Sequence, residues 1–301
     1  MAKGGGAVSV HKGLRIKIGS KVFRITPGSA IGFLLIIGLV GFTALPLVYV
    51  VSTAFKPLNE LFLFPPRFFV RRPTMRNFGD LFIALDALSV PFTRYVFNSI
   101  FVTAATVFLT ITVSAMAAYG MVKHKVLGGK ILFSLVLAGL MFSSFVTQIP
   151  TFLIVNTFQM VNTSWALIIP KVAVAYNVFL VKQFTEQLPD SFLEAARIDG
   201  AGEFTIFIRI VVPFLKPVLA TLVVFSFVAN WNDFFSPLVY IQDEALKTLP
   251  LALQLLSSGN SIARAGAMAA ATFVTILPTI LIYTLAQKHV VDSMAFSGIK
   301  A

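Results

Sequence analysis

The 301-residue sequence contains no cysteine. This excludes disulfides, iron–sulfur clusters, thiolate zinc sites and a cysteine nucleophile. Histidine is almost as scarce, and His11, His124 and His289 lack the spacing of metal ligands. The phosphate-binding motif G-x-x-x-x-G-K-[S/T] is also missing, so we expect any nucleotide to be bound by another chain.

Charged residues are also scarce. Only 12% of the residues are charged, whereas 57% are hydrophobic, 31 are phenylalanine and the mean hydropathy is +0.88. These values lie outside the usage of soluble domains and indicate an integral membrane protein in a lipid bilayer. The net charge of +12 comes mostly from a tail and from loops that flank apolar runs. That distribution is typical of membrane orientation signals, so we predict no nucleic-acid partner.

Six apolar runs reach the roughly twenty residues needed to cross about 30 Å of hydrocarbon. The first, at 30–55, is too long for a signal-peptide core and has no small-residue cleavage site after it, so we predict an uncleaved transmembrane helix. The remaining runs belong to a core at 95–286 and lie at about 96–122, 131–155, 165–184, 218–240 and 265–286. The predicted fold is all-α, with six transmembrane helices.

The orientation follows from the distribution of lysine and arginine. The tail at 1–29 carries six of them and no acid, so the positive-inside rule places it in the cytoplasm, and six spans place the tail at 287–301 there too. The connection after the second run is basic and the connection at 156–164 is uncharged, in agreement. The predicted extracytoplasmic loop at 56–94 does not fit the rule. It carries Arg67, Arg71, Arg72, Arg76 and Arg94 against Glu60, Asp80 and Asp86.

Several predicted spans contain polar residues that a simple anchor does not need. Polar groups at membrane depth must face a cavity or other helices. One interpretation is a solute path, and the other is hydrogen bonding between helices together with solvation at span ends. We expect Lys171, near the end of its span, to extend outward to water. The candidate residues for a solute path are Gln148, Tyr176, Asn177, Asn230, Asn232 and Asp233.

A loop at 186–217, between the fourth and fifth runs, holds the longest stretch of mixed charge. Ser191 and Glu194 have the spacing of a capping box that opens a short helix. Gly200 is placed to take a positive φ after that helix, and Gly202 to keep the turn thin. The following residues, 204–212, have the near-helical alternation of a segment lying along the membrane interface. Glu194 therefore has two possible roles, as part of a docking surface or as a cap of its own helix.

The same loop carries a recognisable pattern. Glu194-Ala195-Ala196, Gly200, Ile210 and Pro213 match E-A-A-x-x-x-G-x(9)-I-x-L-P, with Val212 in place of leucine. The chain thereby resembles permease subunits of binding-protein-dependent carbohydrate ABC importers, specifically the shorter six-span partner of maltose-type importers. The resemblance extends along the chain to Pro65-Pro66, Asn98-Ser99, Ala117-Ala118-Tyr119, Trp231-Asn232-Asp233-Phe234 and Gly298-Ile299-Lys300.

The resemblance implies a type I ABC importer permease fold in the bacterial cell membrane and a transport role rather than an enzymatic one. It implies a second homologous permease, two cytoplasmic ATPase subunits that bind ATP and Mg, an extracytoplasmic solute-binding protein and a carbohydrate substrate. This chain itself would hold no cofactor or metal. The outer loop at 241–264 would contact the binding protein. The residues expected to couple to the ATPase are Glu194, Ala195, Ala196, Asp199, Gly200, Ala201, Gly202, Ile210 and Pro213, with Ser297, Gly298 and Lys300 of the C-terminal tail as further contacts.

Two other functions are compatible with a polytopic membrane chain. A self-sufficient secondary carrier or channel for a small polar solute would use a central acid pair or a broken-helix repeat to couple ions, and neither is found. A membrane enzyme would need nucleophile, base or metal ligands clustered at one depth. Asp233 is the one acid firmly within a predicted span, and no histidine lies near it in sequence.

Overall fold

The computed structural model describes residues 14–18, 21–25, 27–86, 90–124, 126–257 and 265–298. Its first element, in the segment predicted to be a plain tail, is a small antiparallel hairpin. Strand β1 (Leu14–Ile18) pairs with β2 (Lys21–Ile25), with Leu14 opposite Ile25. The rest of the described structure is helical, as the sequence predicts.

The helices number fourteen in the described part of the chain, apart from short 3₁₀ and π segments. Four of them, or continuous runs of them, are long and apolar enough to cross a membrane, and two bent pairs bring the possible spans to six. The first pair, at 129–157, bends by 117° and is the third possible span. The second pair, at 164–185, bends by 42° and is called the bent fourth span below. The bounds are α1 (Pro27–Ala54), α2 (Leu58–Leu61), α3 (Arg76–Asp86), α4 (Phe92–Lys123), α5 (Gly129–Met141), α6 (Ser144–Thr157), α7 (Ser164–Ile168), a 3₁₀ turn (Ile169–Lys171), α8 (Ala175–Thr185), α9 (Asp190–Ile198), α10 (Glu203–Ile206), a π turn (Phe207–Val211), α11 (Val212–Trp231), α12 (Phe235–Tyr240), a 3₁₀ turn (Glu244–Leu246), α13 (Leu249–Ser257) and α14 (Ala265–Gly298).

The fifth span differs from its prediction. It is continuous from Glu203 to Trp231, through α10, the π turn and α11, instead of running from 218 to 240. Residues 204–212 are therefore the beginning of the span and not a separate interfacial segment. Pro213 and Pro217 look like boundaries in the sequence, yet membrane helices tolerate proline because local π or 3₁₀ adjustments satisfy the freed backbone groups. Here the π turn lies directly before Pro213.

Three buried clusters hold the helices together. One joins α4, α8, α9, α10 and α11 around Leu193, Ile206 and Leu215. A second, at the opposite end of the molecule, joins α3, α13 and α14 around Leu81 and Ala270. The third packs the bent fourth span against α4, α6 and α12. In contrast, α1, α5 and α6 expose apolar side chains along most of their length, as expected for surfaces that face lipid or another subunit.

The start of α14 is rich in small residues, which allow neighbouring helices to approach closely. Ala267, Ala270 and Ala271 are buried in the second cluster. Beside them, the amide nitrogen of Asn77 in α3 donates to the carbonyls of Ala54 (2.8 Å) and Lys56 (2.7 Å) and so satisfies the end of α1. A methyl group on Gly266 would overlap Asn77 Oδ1. Asn77 and Gly266 together fix where α1, α3 and α14 meet.

This contact predicts that Gly266→Ala destabilises the protein by about 1–3 kcal/mol, the usual cost of overpacking a tight site. The measurement is the thermal unfolding midpoint in detergent. Gly41→Ala in α1 is the matched control, because nothing lies within 4 Å of the added methyl group. Since both partners share one contact, Gly266→Ala with Asn77→Ala should cost less than the sum of the single changes. Equal midpoints for the variants at 266 and 41 would contradict the prediction.

Candidate functional site

The short surface helix α9 begins two residues earlier than its capping box requires. Pro189 occupies the N-cap position and no side chain caps the helix, so Ser191 lies within the first turn and the predicted Ser191–Glu194 box does not form. A proline starts a helix readily because its ring fixes φ near helical values. Glu194 is exposed and has no hydrogen-bond or ion-pair partner among the described residues. Its local capping role is therefore excluded.

The end of α9 follows the prediction for Gly200. This residue has φ +81°, its N–H donates to the carbonyl of Arg197 (3.0 Å), and the N–H of Ala201 donates to the carbonyl of Ala196 (2.9 Å). This pair of bonds is a Schellman motif, which satisfies the last carbonyls of the helix. Gly202, in contrast, has an ordinary φ of −71° and open space around it. The turn therefore depends on Gly200 much more than on Gly202.

The two faces of α9 have opposite character. Leu193 is 2% exposed, and Ala196 and Ala201 pack against the same buried cluster. The other face presents Glu194 and Ala195 to solvent, with Ile198 86% exposed. Phe192, Asp199 and Phe204 are exposed around them. An acidic and apolar surface of this kind, on an anchored helix, is typical of a docking site.

The remaining motif residues divide in the same way. Ile210 packs against the buried cluster, whereas Pro213 is exposed at the start of α11. The sequence pattern therefore combines residues that build the surface, such as Ala196, Gly200 and Ile210, with residues that are free to contact a partner, such as Glu194 and Ala195.

Polar contacts tie α9 to the ends of two spans. Glu203 accepts hydrogen bonds from Arg197 Nε (2.8 Å) and from the Tyr119 hydroxyl (2.9 Å), and His124 Nε2 lies 3.3 Å from its carboxylate. The bond to Glu203 raises the pKa of Arg197. Lys123 Nζ donates to the carbonyl of Leu188 (2.6 Å) and to Asp190 (2.7 Å).

The sequence did not identify Tyr119, Lys123, His124 or Glu203 as members of this site. The signals available in the sequence were Lys123 and His124 at the end of one span and Glu203 shortly after the glycine turn. The contacts between them could not be predicted, because the partners are separated by up to 84 residues in sequence.

The fold does not bring the candidates for a solute path together at one cavity. Asn177 is buried and donates to Ser226 Oγ (3.2 Å), and Asn230 donates to the carbonyl of Ser226 (2.7 Å). Asn232 donates to the carbonyl of Val228 (2.8 Å) in the turn that ends α11. These amides act within and between helices, whereas Tyr176 is partly exposed.

A cavity of about 690 Å³ lies between α6, the bent fourth span and α12. Of the six candidates, only Gln148 lines it, together with Lys171. Ser236 and Tyr240, which the sequence did not single out, also line it. Asn232 lines a different and smaller cavity, of about 250 Å³, together with Gln254.

The predicted orientation of the Lys171 side chain is wrong. Its ammonium group forms an ion pair with Asp233 instead of extending to water. Asp233 lies in the turn between α11 and α12, where its Oδ1 also accepts from the N–H groups of Phe235 (3.0 Å) and Ser236 (3.1 Å). The predicted fifth span placed Asp233 inside a helix, whereas the structure makes it the cap of α12. The pair joins the bend of the fourth span to the end of the fifth.

The segment at 241–257, which the sequence predicts to be part of an outer loop, is anchored to the start of α4. Asn98 donates to the carbonyls of Ala245 (2.8 Å) and Lys247 (2.9 Å), and Ser99 Oγ accepts from the N–H of Leu249 (2.7 Å). Burial favours a higher pKa for Glu244, but hydrogen bonds from Lys247 and Tyr95 outweigh it and lower the pKa. Residues 258–264 of the predicted outer loop lie outside the described residues.

The predicted C-terminal tail is a continuation of the last helix. Helix α14 extends to Gly298, so Ser297 and Gly298 are helical, and Lys300 lies outside the described residues.

Comparison with known proteins identifies the family. The family described as "Binding-protein-dependent transport system inner membrane component" matches residues 110–295. Protein LplC of Bacillus subtilis is 32% identical over 287 residues, covering 89% of this chain and 93% of LplC. The polygalacturonan/rhamnogalacturonan transport system permease protein YtcP of the same organism is 29% identical over 293 residues, covering 89% of this chain and 96% of YtcP.

The fold agrees with that of a solved structure. A chain of a bacterial ABC transporter involved in the import of the acidic polysaccharide alginate superposes with a TM-score of 0.74 at 21% identity, covering 88% of this chain and 99% of that chain. The resemblance based on the motif at 194–213 is thus confirmed over most of the sequence. The chain belongs to the family of binding-protein-dependent transport system inner membrane components.

Proposed function

We propose that the chain is one permease subunit of an ATP-driven importer for an oligosaccharide. The relatives support this substrate class, since they include YtcP and the arabinooligosaccharides transport system permease protein AraQ of Bacillus subtilis, which is 29% identical over 230 residues, 76% of this chain and 80% of AraQ. The basic N-terminal tail supports an orientation with both termini in the cytoplasm, and the bacterial relatives support a location in the bacterial cell membrane.

The observation that carries the proposal is the exposed face of α9. The side chains of Glu194, Ala195 and Asp199 have no hydrogen-bond or ion-pair partner among the described residues, while the buried face is held by the core. We infer that this face binds a cleft on a cytoplasmic ATPase that holds ATP and Mg. The small side chain of Ala195 allows close approach, and the two acids suit cations on the partner. Closure of the ATPase would then move α9 and the spans attached to it as rigid bodies.

Further partners complete the transporter. A second homologous permease would cover the exposed apolar faces and form the other half of the solute path. A solute-binding protein would contact the outer segment at 241–257, which is fixed to α4 by Asn98 and Ser99. The helical end at Ser297 and Gly298, followed by Lys300, is the proposed second contact with the ATPase.

The first test reverses the charge of Glu194. In the assembled transporter, Glu194→Lys should lower substrate uptake by about tenfold or more, since a reversed charge in a docking site costs at least about 1.4 kcal/mol. ATP hydrolysis should lose its stimulation by substrate, while insertion and assembly remain normal. Uptake in proteoliposomes and ATPase activity are measured together.

Asp80→Lys is the matched control, because Asp80 is an exposed helical acid at the opposite end of the molecule. It should leave uptake and its coupling to ATP hydrolysis unchanged. Normal coupled uptake by Glu194→Lys would refute the role of α9. Uptake by this chain alone, driven by a proton or sodium gradient, would refute the importer itself in favour of a secondary carrier.

The cavity of about 690 Å³ is the proposed contribution of this chain to the solute path. Gln148, Ser236 and Tyr240 supply hydrogen-bonding groups of the kind that sugar hydroxyls need. Lys171 contributes little free charge, because Asp233 neutralises it. We infer that the ion pair positions the bend of the fourth span beside the cavity rather than binding the sugar directly.

This inference predicts that the two single variants assemble less well than the double variant. Lys171→Met or Asp233→Asn alone leaves the other, half-buried charge without its partner. Breaking a fully buried pair costs about 3–5 kcal/mol, and we expect a smaller but substantial cost here. Both single variants should assemble poorly. Lys171→Met with Asp233→Asn removes both charges and should recover much of the assembly yield. Yield after purification and uptake per assembled complex are the measurements, and a double variant worse than either single one would contradict the prediction.

A further inference from the structure

The segment after α2 folds back along the end of the first span. The N–H of Thr74 donates to the carbonyl of Phe55 (2.9 Å), the N–H of Val70 donates to Ser52 Oγ (3.0 Å), and the rings of Phe68 and Tyr49 are 5.4 Å apart. Residues 68, 70 and 74 therefore lie beside residues 49, 52 and 55 of the span. At 1.5 Å per residue, the segment dips by about 9 Å below the level of Phe55.

Buried polar groups hold the segment in this position beside α1. Lys56 is 2% exposed, and its ammonium group donates to the carbonyl of Arg67 (2.5 Å) and lies 4.8 Å from the ring centre of Tyr49. Glu60 is also buried and accepts from the N–H of Arg71 (3.1 Å). We call residues 62–72 the arginine loop. Its backbone is fixed to α1 and α2, so its position at the depth of the last turns of the span is a property of the fold.

The side chains of the arginine loop are of two kinds. Phe64 is 92% exposed and Phe69 69% exposed, although α1 beside them is an apolar span. Arg67, Arg71 and Arg72 are exposed, and within the described ranges none of their guanidinium groups has a hydrogen-bond or ion-pair partner. Exposed aromatic rings and unpaired arginines therefore occupy the same short loop.

We propose that the arginine loop inserts into the bilayer interface at this end of the first span, with its phenylalanines at the acyl boundary and its arginines on anionic lipid headgroups. A segment with aromatic groups on one side and arginines on the other binds this layer, where apolar burial and attraction to anionic lipid add together. Guanidinium groups also match phosphate oxygens in bidentate geometry.

The location of the loop favours lipid over water or a soluble partner. Helix α1 has 28 residues and is about 42 Å long at 1.5 Å per residue, which exceeds the roughly 30 Å of hydrocarbon. A loop beside its last turns therefore lies at the bilayer interface. The insertion also accounts for the excess of arginine in a segment that the positive-inside rule alone would place in the cytoplasm. It requires neither the proposed transport function nor a particular orientation, because anionic headgroups can be offered on both sides.

The absence of cysteine makes a direct test possible. Phe64→Cys introduces the one thiol of this chain, which is spin-labelled in the purified complex, with the unsubstituted complex as the labelling blank. The complex is reconstituted in phosphatidylcholine vesicles with or without phosphatidylglycerol. Power saturation then compares the accessibility of the label to oxygen and to a water-soluble nickel complex. Gln242→Cys, at an exposed position in the outer segment, is the control site.

We expect the label at 64 to favour oxygen and the label at 242 to favour nickel. Phosphatidylglycerol should move the label at 64 deeper, and Arg67→Gln with Arg71→Gln and Arg72→Gln should abolish this shift. Arg76→Gln, outside the loop, should retain it, and an unchanged label at 242 shows that the variants are folded. A label at 64 that favours nickel refutes insertion. A label inaccessible to both reagents also refutes it, because a protein partner then covers the loop.

Discussion

Hydrocarbon offers no hydrogen bonds to the backbone, and this constraint explains most of the polar contacts in the structure. At several places where a span bends or ends, a side chain satisfies the freed groups. Thr110 donates to the carbonyl of Lys171 at the bend of the fourth span (2.8 Å), Asp233 caps α12, and Asn77 satisfies two carbonyls at the end of α1. Asn162 similarly accepts from the N–H groups of Gln242 (3.0 Å) and Asp243 (2.8 Å).

The same constraint limits what the sequence could reveal about a solute path. Asn177, Asn230 and Asn232 stood out as polar residues near membrane depth, yet the structure uses their amides for contacts with neighbouring helical groups. Hydropathy identifies a polar group in a span but not its partner. The cavity was equally hidden, because its lining combines Gln148 with groups from the fourth span and from α12, which come together only in the fold.

Long apolar runs made the helical class predictable, and Gly200 made one turn predictable to the residue. The bends within the third and fourth spans were not predictable, because hydropathy carries no information about the direction of a helix axis. The fifth span was displaced because Arg209, Pro213 and Lys216 interrupt its apolar pattern, although a π turn and exposed charges accommodate all three. The capping box failed because Pro189 begins the helix before Ser191. In each case a local signal was real but a neighbouring residue decided the boundary.

The strength of the connection between α9 and the spans depends on burial more than on charge. Arg197 and Glu203 are each about half exposed, and ion pairs of this kind contribute at most about 1 kcal/mol. Leu193, Ile206 and Leu215 are almost fully buried in one cluster, and truncating such a leucine or isoleucine costs about 2–5 kcal/mol. A force on α9 is therefore transmitted to α4 and α11 mainly through packed side chains, which keep the helix and both spans together as one body, while Gly200 sets the angle between them.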